Sequence, residues 1–100
     1  MISMSAGALG EMHHGHVLIG SSTSNIVTAR VNGWSFSTPT PSVVLCQARQ
    51  SDNTDHGWQD AFVIQVITTG TNFITLRIRR VDTSSSGWGQ KLQIDMLVIE

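Results

Sequence analysis

The segment Asn72–Arg80 alternates with a period of two: Ile74, Leu76 and Ile78 fall on one side, and Thr75, Arg77 and Arg79 on the other. A helix would mix these two sets around its circumference. An extended strand separates them, with one face for a core and one for solvent. Four more runs, Asn25–Val31, Ser42–Arg49, Ala61–Thr68 and Lys91–Ile99, are enriched in Val, Ile, Leu, Phe and Thr and bounded by turn residues. Trp34–Ser37 is a candidate short sixth strand. The last run sets Leu92, Ile94, Met96 and Val98 against Gln93 and Asp95. The third run is apolar on both sides, Phe62, Ile64 and Val66 opposite Val63 and Ile67. Such a strand is expected to be covered twice, by two layers of one chain or by a neighbouring subunit.

The connections suit antiparallel pairing. Thr68–Asn72 is a short Gly-containing hairpin loop, and Thr38-Pro39-Thr40-Pro41 has no place in a central strand. Two longer polar loops run from Gln50 to Asp60 and from Asp82 to Gln90. No helix-length segment separates the strands, which argues against a parallel α/β sheet. The expected fold is all-β: a small six-stranded antiparallel β-sandwich over residues 23–100. Residues 1–22 are rich in Gly, Ala, Ser, Met and His and carry one charged residue, Glu11. They read as an N-terminal arm, with a short strand at most at His16–Ile19, ordered by packing on the body or on a neighbour.

Composition narrows the function classes. Only 13% of the 100 residues are charged, the net charge is −1, and Ser and Thr supply 22 residues. This disfavours a charge-rich disordered chain, a coiled coil and a general nucleic-acid binder, which needs a phosphate-neutralising excess. The single cysteine, Cys46, lies in an apolar run without a partner base and reads as a small buried hydrophobe. Met1-Ile2-Ser3-Met4 lacks the basic start of a signal peptide, and no run approaches the ~20 apolar residues of a membrane span. The expected origin is a cytoplasm, with no membrane partner.

The order of features along the body is more specific. Trp34-Ser35-Phe36 is followed by the strand entry Pro41-Ser42-Val43-Val44-Leu45, polar Gln50–Asp55, the strand Phe62-Val63-Ile64-Gln65-Val66, the hairpin Thr69-Gly70-Thr71-Asn72-Phe73, the turn Arg80-Val81-Asp82-Thr83, and an apolar close over Leu92–Glu100. Over about residues 25–100 this resembles the H-type lectin domain. The resemblance implies a six-stranded antiparallel sandwich that assembles as a trimer, with sugar sites near loops at subunit boundaries. Such domains also resemble modules of phage tail and fibre proteins. Asp82 and Thr83 match the family's turn; Arg80 stands where the family carries Trp, a departure at its galactosamine-type site.

A glycan site in this framework needs a flat apolar face for the pyranose and charged acceptors for its hydroxyls. The two long loops offer Asp52, Asp55, His56 and Trp58, and Arg80, Asp82 and Trp88. The hairpin at Gly70 brings both loops to one end of the sandwich. The competing reading is that Trp58 and Trp88 pack at loop bases or subunit contacts. His13-His14-Gly15-His16 is a possible chelate, but a metal site needs fixed geometry, and no metal or other cofactor is expected. Asp52, Asp55 and Asp60 lack the deep cleft that glycosidase carboxylates need, so no enzymatic activity is expected. Arg77 and Arg79 share a strand face, with Asp95 and Gln93 as candidate cross-strand or cross-subunit neighbours. Two functions remain: a structural or adhesion module of a phage virion, in tail, fibre or head, docked to other virion proteins through its arm; or a free-standing carbohydrate-binding lectin. Both are expected to be homotrimers.

Overall fold

The computed structural model describes residues 10–50, 60–83 and 86–100. Six strands follow one another: β1 (Met12–Ser22), β2 (Ile26–Asn32), β3 (Val43–Gln50), β4 (Phe62–Thr69), β5 (Phe73–Arg80) and β6 (Trp88–Ile99). Among the described residues there is no helix. The strands form two three-stranded antiparallel sheets, ordered β1-β6-β3 and β2-β5-β4, packed together as a small sandwich. The edge strands face one another across the sandwich, β1 over β2 and β3 over β4.

The core comes mostly from the two central strands. Ile74, Leu76 and Ile78 of β5 and Leu92, Ile94, Met96 and Val98 of β6 are buried, joined by Val31, Phe36 and Trp88. A central strand is flanked on both edges, so its inward side chains are closed off from every side. Inward residues of edge strands, such as Val44, Val17 and Ile64, are only partly covered. This explains why the cleanest alternation in the sequence belongs to a central strand.

Two expectations change. Trp34–Ser37 is not a strand. Gly33, in the left-handed region at φ 95°, follows directly after β2, and the backbone N–H groups of Trp34 and Phe36 then donate to the carbonyls of Asn72 and Thr71. The sixth strand is β1. Residues 12–22, expected in an arm outside the core, pair with β6 from Met12↔Ile99 to Ser22↔Trp88. Val17 and Ile19 pack against the core. The period of two was hard to see because the first inward positions are His13 and Gly15. A Cβ on Gly15 would come 2.9 Å from Cη2 of Trp34, so the indole occupies the space a side chain would need. The edge of the His13 ring meets Phe36, at 5.0 Å between centroids.

β4 is an edge strand with a register shift between Val66 and Thr68. Val63 and Ile67, its second apolar side, are 45% and 43% exposed, and Val66 at the shift is 40% exposed, so nothing among the described residues covers them fully.

Candidate functional site

The end of the sandwich expected to hold a ligand is built around Arg80, the last residue of β5. Its Nε and one terminal nitrogen donate to the two oxygens of Asp82, each at 2.9 Å. The same terminal nitrogen lies 2.8 Å from Asp60, and the other donates to the Gly87 carbonyl. Asp82 also accepts from the Ala61 N–H at 3.1 Å. Two-residue spacing past the strand end lets Asp82 turn back onto the guanidinium, a fork-to-fork geometry that arginine fits and lysine does not. The Arg80 hydrogen bond, seconded by the Ala61 N–H, pulls the Asp82 carboxyl down to about 2. Asp82 in turn raises the Arg80 pKa.

This arrangement ties the residues before β4, the end of β5 and the start of β6 together. It binds Arg80 and Asp82 to each other, where the sequence reading aimed them at a sugar. Trp88 departs further from that reading. It opens β6 and is 4% exposed. Its ring stands edge-on to Phe62 at 5.1 Å, and its Nε1 donates to the Gly20 carbonyl at 2.7 Å. Gly20, with φ 77°, sits at the register shifts of β1, a bulge that turns its carbonyl toward the indole. Trp88 therefore packs at a loop base and offers no open face. Asp52, Asp55, His56 and Trp58 lie outside the described residues. Beside the Arg80 cluster is an open depression of about 340 Å³ lined by Asn25, Arg79, Arg80, Val81 and Thr83.

The opposite end carries a second latch. Oε1 of Glu100 accepts from the Ser37 N–H and hydroxyl, both at 2.6 Å, and from the Thr38 N–H at 3.2 Å. Its Oε2 lies 2.9 Å from Nε2 of His13. The Ser37 hydrogen bond and then His13 lower the Glu100 carboxyl to about 2. The histidines do not converge. His13 points inward, whereas His14 and His16 alternate to the outer face of β1. Glu11, His13 and Glu100 do bring donor atoms within 4.8 Å of one another, but both Glu100 oxygens already accept hydrogen bonds.

On the outer face of the β1-β6-β3 sheet, Asp95 pairs with Arg49 and accepts from Gln93 at 2.7 Å. The expected pairing of Asp95 and Gln93 with Arg77 and Arg79 within one chain therefore does not occur: the two arginines belong to the other sheet. The same outer face is apolar at its other end. Met12, Ile99 and Val43 share one row across the sheet, and Leu97 and Leu45 share the next. The exposed Leu45 and Val43 escaped the sequence reading because the Ser42–Arg49 run shows one apolar stretch without showing which members point outward. Cys46 points inward, and burial raises its thiol pKa. Compared with family models, curated proteins and solved structures, the chain finds no match.

Proposed function

We propose that the chain is a non-enzymatic structural and adhesion module of a phage virion, a homotrimer of H-type-lectin-like sandwiches that docks to other virion proteins. One observation carries the reading. On the two edge strands that face one another across the sandwich, Val43 and Leu45 of β3 and Val66 and Ile67 of β4 are between 37% and 55% exposed. Among the described residues β3 and β4 are edge strands, and a monomer gains nothing from leaving apolar side chains exposed on them. A depression of about 340 Å³, lined by Leu45, Gln47, Asp95 and Leu97 among others, adjoins the β3 end of this surface. A ring that sets this side of one copy against a different surface of the next covers it and closes without open edges. The resemblance over about residues 25–100 implies an antiparallel sandwich, and the fold is of that class although β1 comes from outside that span; the resemblance supplies the trimer and the virion setting.

The free-standing lectin has less support, since Arg80, Asp82 and Trp88 are engaged inside the chain. The test is the solution mass by light scattering at micromolar concentration. The expected mass is three times the 10.9 kDa of one chain. A mass of one chain refutes the proposal, and Leu45→Glu is expected to give that mass while leaving the β-sheet circular dichroism intact.

A further inference from the structure

The outer face of the β2-β5-β4 sheet carries charge of one sign. Arg77 and Arg79 are exposed on β5, two residues apart, which sets them roughly 7 Å from each other along the strand. Arg30 on β2 stands opposite Thr75 and diagonal to Arg77, a further step of about 7–8 Å. Half of the six Lys and Arg residues of the chain thus share one sheet face. Every described carboxylate lies elsewhere: Asp60 and Asp82 on Arg80, Asp95 with Arg49 on the other sheet, Glu11 and Glu100 beside His13. No described carboxylate forms an ion pair with Arg77 or Arg79. Neighbouring like charges on a strand face repel, so the arrangement favours an anion between them.

The surroundings decide which anion. Thr28 and Gln65 flank Arg77 in its row, and Thr75 lies between Arg77 and Arg30. These side chains donate and accept hydrogen bonds and suit a ligand rich in hydroxyl groups. The ring of Phe73 is already covered by the Arg30 guanidinium, 3.9 Å from its centroid, so it is no platform for a nucleic-acid base. The exposed Ile26 and Val63 flank Arg79 at one end of the face, while the middle row, Thr28, Arg77 and Gln65, has no apolar side chain to centre a protein interface. At the Arg79 end the face runs into the open depression lined by Asn25, Arg79 and Val81.

We propose that this face docks a linear anionic polysaccharide, with its sulfate or carboxylate groups on Arg30, Arg77 and Arg79 and its hydroxyls on Thr28, Gln65 and Thr75. Arginine holds either acid group through its planar fork. The site exists on a single chain, and a trimer repeats it threefold, which raises avidity.

The experiment measures binding of the intact chain to immobilised dextran sulfate, polygalacturonate, neutral dextran and a single-stranded oligonucleotide across a salt series, with the solution mass of the same sample recorded. Binding to dextran sulfate, polygalacturonate or both is expected, none to neutral dextran, and the acid that binds is the group recognised. With three pairings the slope of log affinity against log salt should be about −2 to −3. The double variant Arg77→Ala/Arg79→Ala should bind at least ~10-fold more weakly, with a slope near −1. Arg49→Ala removes a charge from the opposite face and should change nothing. Failure of both acidic polymers at low salt overturns the proposal, as does unchanged binding by the double variant with its circular dichroism intact. Equal or tighter binding of the oligonucleotide overturns it in favour of a nucleic acid. A monomeric mass together with polysaccharide binding removes the trimer and leaves this site standing.

Discussion

Replacement of Trp88 separates a structural tryptophan from a ligand-stacking one. The indole is 4% exposed, packs edge-on against Phe62, and donates to the Gly20 carbonyl at 2.7 Å. Trp88→Ala removes a large buried ring, a change that costs about 3–5 kcal/mol. It also leaves the Gly20 carbonyl without its donor, a further ~1 kcal/mol or more. A total of about 4–6 kcal/mol is a large share of the ~5–15 kcal/mol that holds a domain folded. At about 4–8 °C per kcal/mol for a chain of this length, the midpoint should fall by roughly 16 °C or more. Trp88→Phe keeps a ring against Phe62 and loses the hydrogen bond and part of the ring volume. Its cost should be about 1–3 kcal/mol, so it stays measurable if Trp88→Ala fails to fold. The assay is thermal and urea unfolding followed by circular dichroism, with the urea slope compared between variants so that a change in the unfolded state is not mistaken for one in stability. A Trp88→Ala midpoint within about 3 °C of the parent would refute the reasoning. So would a Trp88→Phe variant as damaged as Trp88→Ala, because the ring contact would then contribute nothing.

Acid should loosen both ends of the sandwich. The Glu100 and Asp82 carboxyls are lowered to about 2, so their contribution is complete above the ordinary carboxylate range and is lost as pH falls through about 2. The urea midpoint should therefore drop between about pH 5 and pH 2, and Glu100→Gln and Asp82→Asn should each flatten that drop. Ile67→Lys sets a charge on the exposed side of β4 and should shift the scattered mass toward one chain, with the β-sheet circular dichroism of the separated chain intact and its unfolding midpoint lowered only by the loss of association. Cys46 faces inward with its thiol pKa raised by burial, so a maleimide at neutral pH should label it slowly in the native protein and rapidly in urea. Equal rates in the two states would show that the thiol is open to solvent.

The sandwich was legible where a strand lies in the middle of a sheet. Ile74, Leu76 and Ile78 alternate cleanly because β5 is enclosed by β2 and β4 and must bury one whole face. Local period therefore determined the all-β class, the antiparallel order and most strand limits. It could not reveal β1, because a strand is recognised by what its inward side chains are, and here a glycine leaves room for Trp34 and a histidine meets Phe36 and Glu100. The same limit governed the candidate site. The sequence placed Arg80, Asp82 and Trp88 near one another at one end of the sandwich, and the fold does bring them there. Their partners come from elsewhere in the chain: Asp60 and Ala61 before β4, Gly87 at the head of β6, and Gly20 on the bulge of β1. Composition and alternation are local, and they determined what kind of face each strand has. Which groups satisfy one another across the sandwich, and which arginines and apolar residues are left facing outward, follows from sheet order and register, and only the tertiary structure decided those.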